Sequence, residues 1–83
     1  MSSFNYKENM DFSGKRLQLS RKRIKMTQKE AAEKLGVSLS VYSHYEHGIA
    51  RPTYKTLYKI CILFNVSADY LLGLTDEMVG YER

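Results

Sequence analysis

The sequence predicts an all-α domain built from five short helices. Three observations carry that expectation. No stretch of useful length alternates polar and apolar residues as a strand would, and only one proline, Pro52, interrupts the 83 residues. Residues 27–48, TQKEAAEKLGVSLSVYSHYEHG, read as two capped helices, each closed by a glycine. The apolar residues Leu57, Ile60, Cys61 and Phe64 recur at i, i+3, i+4 and i+7. A chain this long forms one domain, which buries roughly 60–65% of the surface its unfolded form exposes. A hydrophobic content of 43% is too high for a disordered chain.

Residues 1–10 are polar with isolated aromatics, and a flexible arm is expected there. The first helix is expected over residues 12–24, capped by Asp11 or Ser13, with Phe12, Leu17 and Ile24 facing inward. Ser20 and Arg21 interrupt that stripe. The second helix begins with the Thr27-x-x-Glu30 capping box, shows a small face of Ala31, Ala32 and Leu35, and ends at Gly36. The third is capped by Ser38 and stopped by Gly48. At 100° per residue Ser40, Ser43, His44 and His47 share one stripe, while Tyr42, Tyr45 and Glu46 lie opposite. Arg51-Pro52-Thr53 breaks the chain before a fourth helix over 54–64, which Asn65 can stop. Ser67 caps a short fifth helix, with Asp69 in its first turn and Gly73 at its end. Residues 11–75 are thus the folded domain, and 76–83 form a tail.

Charge is unevenly placed. The net charge is +4. Residues 13–59 hold eleven Lys or Arg against three Glu, whereas residues 65–83 hold four acidic residues against Arg83. Positive charge therefore sits on the segment with the paired capped helices, as an electrostatic footprint for phosphates would; a solvated face would look the same. The single cysteine, Cys61, excludes an internal disulfide and falls at a core position. No metal-ligand cluster, apolar membrane span or signal-peptide core is present in the sequence, so a reduced, cytoplasmic setting with no membrane and no cofactor is expected. No paired carboxylates, nucleophile–base pattern or glycine-rich phosphate loop suggests an enzyme.

Residues 27–48 resemble the helix-turn-helix of the phage repressor and Cro-like family, often called the XRE family. The similarity extends over residues 12–75 and takes in RPTYKTLYKI and NVSADYLLGL. It implies a lambda-repressor-like five-helix fold. It also implies a DNA-binding transcription regulator, a repressor in the first instance, whose third helix (about 39–47) enters the major groove while the second crosses the backbone. Carried over by position, Leu39, Ser40, Val41, Ser43 and His44 face bases. Gln28, Lys29, His47, Arg51, Lys55 and Arg16 face phosphates, with Lys22, Arg23 and Lys25 as further backbone candidates. Arg21 and Glu46 match a structural salt bridge between the first and third helices. The base-facing set lacks Arg, Asn and Gln, so readout leans on apolar contact, water or DNA shape. Ser20 stands where the family is usually apolar, and Lys25 where glycine is common.

Such proteins resemble dimers reading a palindromic operator with two recognition helices about 34 Å apart. Tyr70, Leu71, Leu72, Leu74, Met78 and Val79 are the candidate homodimer surface, with Leu71 and Leu72 equally suited to the core. Tyr42, Tyr45, Tyr58 and Tyr70 suit core or interface packing. No small-molecule ligand is implied. The competing reading is a protein-interaction module or antitoxin-type regulator that reuses the fold. Leu39 and the missing Arg, Asn and Gln favour it; the basic segment and Gln28 oppose it.

Overall fold

The computed structural model describes residues 11–79; the expected arm at 1–10 and the last four residues of the tail lie outside them. Five helices follow in order: α1 Gly14–Arg23, α2 Gln28–Leu35, α3 Leu39–Glu46, α4 Tyr54–Phe64 and α5 Ala68–Leu71. All five are capped by a hydroxyl that accepts an otherwise orphaned backbone N–H: Ser13, Thr27, Ser38, Thr53 and Ser67. The capping box on α2 is complete, with Glu30 reaching back to the Thr27 N–H at 2.8 Å. Gly36 and Asn65 take the left-handed conformation that ends α2 and α4.

The core collects one face from every helix: Leu17 from α1, Ala31, Ala32 and Leu35 from α2, Tyr42 and Tyr45 from α3, Ile60, Cys61 and Phe64 from α4, Tyr70 and Leu71 from α5. Phe12 and Val66 complete it from the flanking loops. Tyr42 and Tyr45 meet edge to face with ring centroids 6.2 Å apart. Ser20 is fully buried in this apolar setting without penalty, because its hydroxyl donates to the Arg16 carbonyl oxygen at 2.8 Å.

Two close approaches fix the recognition unit. The alanines of α2 let it pack against both α3 and α4. At the other side, a Cβ on Gly14 would sit 2.4 Å from the Glu46 carbonyl oxygen and 2.5 Å from that of Tyr45. The first turn of α1 thus abuts the last carbonyls of α3, its positive end against the negative end of its neighbour.

Several expectations need correction. Ile24 is 39% exposed, not inward. The helix stops at Arg23 and the chain swings away at Lys25, whose φ is +59°, so the stripe ends before Ile24 can join it. Tyr70 and Leu71, expected at a dimer surface, are core residues; Leu71 also accepts the Ser13 N–H at 2.8 Å through its carbonyl. Tyr58 is exposed, so of its two expected placements, core or interface, the core does not hold. The described part of the tail folds back on the domain, with the Ser67 N–H donating to the Met78 carbonyl oxygen at 2.8 Å.

Gly14→Ala is expected to cost about 1–3 kcal/mol through overpacking against backbone that cannot yield locally. Lys25→Gly should stabilise by roughly 0.5–1 kcal/mol, because a left-handed residue loses its Cβ clash. Urea unfolding of the two variants checks both signs.

Candidate nucleic-acid interface

The site is α3 presented on α2, and its geometry begins with a buried carboxylate. Glu46, at the last position of α3, is 9% exposed. Four donors from three helices converge on it. Arg21 Nε donates to Oε2 at 2.6 Å and Nη2 to Oε1 at 3.1 Å. The Tyr42 hydroxyl, one turn earlier, donates to Oε2 at 2.6 Å. Gln28 Nε2 donates to Oε1 at 2.8 Å from the first turn of α2. The remaining Arg21 nitrogen, Nη1, donates to the Met26 carbonyl oxygen at 2.9 Å, tying the α1–α2 turn into the same network. The expected Arg21–Glu46 bridge is therefore present as a bidentate pair.

Burial alone would raise the Glu46 pKa, but the hydrogen bonds from Arg21, Tyr42 and Gln28 outweigh it and hold the carboxyl below its usual range. The bond to Glu46 raises Arg21 in turn. Burial, reinforced by that carboxylate, pushes the Tyr42 hydroxyl far above a normal phenol. All three groups hold one ionisation state across physiological pH, so the network is a fixed support and not a proton relay.

The opposite face of α3 is open. Leu39, Ser40, Val41 and His44 are exposed and Ser43 is half-buried. None of the five contributes a side chain to the core. His47 follows as the C-cap; its Nδ1 lies 2.8 Å from the Ser43 carbonyl oxygen. A carbonyl can only accept, so that contact requires the proton on Nδ1 and leaves Nε2 as the outward nitrogen.

The basic candidates divide into free and committed groups. Lys29 on α2 and Lys55 in the first turn of α4 are exposed, as are Lys22 and Lys25. Gln28 has spent one amide hydrogen on Glu46, and its neighbours Thr27 and Lys29 at the start of α2 are exposed. Arg51 is paired with Asp11 at 2.7 Å across a half-exposed contact, weak enough to be exchanged for another anion. The Phe12 N–H and then Arg51 hold the Asp11 carboxyl below its usual range.

Arg16 is a correction. Its Nη1 donates to the carbonyl oxygens of Tyr70 at 2.8 Å and Thr75 at 2.6 Å, Nη2 pairs with Asp76 at 2.7 Å, and the guanidinium stacks on the Tyr70 ring at 4.5 Å. It is a tail clamp, not a phosphate group. Arg23 is likewise committed, donating to the carbonyl oxygens of Phe64 at 2.6 Å and Asn65 at 3.3 Å and so closing the C-terminus of α4. The sequence reading missed the Tyr42–Glu46 and Gln28–Glu46 bonds. The i, i+4 spacing of Tyr42 and Glu46 was a visible signal for the first; the second joins two helices and leaves no local trace.

With this geometry in place, comparison with known proteins is decisive at the family level. Residues 17–71 match the helix-turn-helix family. The chain belongs to that family. It is 50% identical over 60 residues to the HTH-type transcriptional regulator ImmR of Bacillus subtilis, covering 72% of this chain and 47% of ImmR. It is 42% identical over 64 residues to the cryptic phage CTXphi transcriptional repressor RstR of Vibrio cholerae, covering 75% of this chain and 57% of RstR. The chain thus spans about half the length of the curated relatives it matches. Among solved structures, SinR in its complex with SinI superposes with a TM-score of 0.65 at 33% identity, covering 71% of this chain and 58% of that one. SinR in complex with DNA superposes with a TM-score of 0.60, also at 33% identity, covering 65% and 90%. Among the described residues no helix is long and apolar enough to cross a membrane, and no cluster of potential metal ligands occurs.

Glu46→Gln is expected to cost about 3 kcal/mol at pH 7, since it leaves Arg21 buried without its counter-charge. Because the folded pKa of Glu46 is depressed, its contribution is fully present above the unfolded value near 4.5 and is lost as pH falls through the folded value. Melting curves from pH 7 to pH 3 should therefore fall less steeply for Glu46→Gln than for the parent. Equal slopes, or equal melting temperatures at pH 7, would contradict the assignment.

Proposed function

We propose that this chain is a sequence-specific double-stranded DNA-binding transcription regulator, acting as a repressor, that places α3 in the major groove. The observation that carries the reading is the division of α3: a bulky face anchored by the Glu46 network, and an outward face of short or apolar side chains standing clear of the core. Groove entry needs that combination. Regulators and a phage repressor among the relatives, and SinR solved with DNA, support the assignment.

In this reading Leu39, Ser40, Val41, Ser43 and His44 face the bases. The hydroxyls donate or accept, and Leu39 and Val41 meet thymine methyls. Gln28 offers its second amide hydrogen and the α2 N-terminus to a phosphate. Lys29, Lys55 and His47 reach neighbouring phosphates, and Arg51 joins them by exchanging Asp11 for the DNA. Glu46 positions Gln28 through the bond between them, so the backbone contact and the pitch of α3 are set by one carboxylate.

Two copies related by a two-fold axis read a palindrome, with α3 helices about 34 Å apart. Of the six residues first considered for the dimer surface, Leu74 and Val79 remain exposed, and Leu72 and Met78 are half-buried.

Selection of bound sequences from random duplex DNA tests the reading. A palindromic consensus is expected, lost or altered in Ser40→Ala/His44→Ala. Binding with no consensus, equal in both proteins, would shift the assignment to a protein-interaction module. Lys29→Ala/Lys55→Ala should weaken binding across all sequences and lower the slope of log K against log salt by about 1.8 per protomer.

A further inference from the structure

Two lysines lie outside the surface assigned to DNA. Lys34 and Lys59 frame a groove of about 360 Å³ between the end of α2 and the second half of α4. Leu35 forms its floor and Leu63 one side, while Tyr58 and Ile62 stand exposed on its walls at 68% and 44%. No acidic residue lines it. An apolar trough with cationic rims suits a segment that carries apolar side chains beside carboxylates.

The same chain displays such a segment. Leu74-Thr75-Asp76-Glu77-Met78-Val79 follows Gly73, and Leu74 and Val79 are 62% and 46% exposed. Asp76 and Glu77 lie between, both exposed. Asp76 uses Oδ1 for Arg16, which leaves Oδ2 outward. The segment is held in place: Arg16 grips the Thr75 carbonyl oxygen, and the Ser67 N–H and hydroxyl donate to the carbonyl oxygens of Met78 and Glu77. A held segment loses less entropy on docking than a free one.

We propose that the α2–α4 groove receives residues 74–79 of a second copy of this chain. Lys34 and Lys59 meet Asp76 and Glu77, and Leu74 and Val79 cover Tyr58 and Ile62. The inference rests on the two-fold dimer reading and supplies the acceptor surface that reading lacked. Six residues bury much less than the roughly 1,200 Å² of a stable interface, so the contact is made twice, tail to groove and groove to tail, as an isologous pair. Lys34 lies six residues beyond Gln28, roughly 9 Å along α2, and Lys59 lies one turn beyond Lys55 on α4, so the groove adjoins the surface assigned to DNA without sharing a residue with it.

The test uses the full chain without DNA. Unlabelled and ¹⁵N-labelled protein are mixed, treated with a carbodiimide that joins amine to carboxylate directly, and digested for mass spectrometry. Mixed-isotope links from Lys34 or Lys59 to Asp76 or Glu77 are expected. Sedimentation should show Lys34→Glu/Lys59→Glu and Asp76→Lys/Glu77→Lys each weakening self-association about tenfold or more, with association restored when the two are mixed. Asp76 also anchors the tail, so Glu77→Lys alone is the second variant, and melting curves confirm folding. A monomer at about 100 µM, links confined to one isotope, or a dimer indifferent to all these changes would overturn the groove. Binding of Lys34→Glu/Lys59→Glu to a single half-site duplex separates the two readings. Half-site affinity retained while self-association falls supports the groove. Half-site affinity lost in step would place these lysines on DNA instead. If the parent is monomeric yet binds a consensus, the groove fails and the DNA reading stands.

Discussion

One buried carboxylate organises this domain. Glu46 sits at the end of α3 and accepts from α1, from α2 and from its own helix. A buried charge is costly alone, and removing any one partner here strands the rest. The arrangement therefore admits one mutual placement of three helices, not a range of them. Gly14 supports the same placement by steric means, since the first turn of α1 rests on the carbonyls of Tyr45 and Glu46. Electrostatics fixes the side-chain end of the contact, and backbone packing fixes the other.

Much of this was legible in the sequence because it is local. Caps, left-handed stops and the 3.6-residue stripe of α4 depend on residues within a few positions of each other. Four of the five caps stand on residues that the pattern marks, with Asp11 or Ser13 left open for the first; Thr53 was read only as part of the break before α4. The stripe of α3 is equally local, and Tyr42, Tyr45 and Glu46 are buried together. Arg21 was different. Periodicity shows only a charge where an apolar residue belongs, and family resemblance supplied its partner.

What the sequence hid is what the tertiary fold decides. Arg16 and Arg23 look like any exposed basic residues on α1, yet carbonyls of α4, α5 and the tail claim both. Those acceptors lie 41 to 59 residues away. Ile24 continues the α1 stripe on paper, but Lys25 bends the backbone first. Tyr70 and Leu71 carried the apolar weight of a partner surface, and their burial shifts that weight outward to Leu74 and Val79. In each case local pattern gave the residue type, and the path of a distant segment gave its use.

The split character of α3 has an evolutionary side. Its inward residues are tied to a charge network and a filled core, so almost any change there lowers stability. Its outward residues are not members of that core. Mutations at the exposed Ser40 and His44 can therefore accumulate without eroding the fold that carries them. Such a scaffold can diverge in target preference while remaining equally foldable. A family of small domains can then spread across many genomic addresses with little new structural invention.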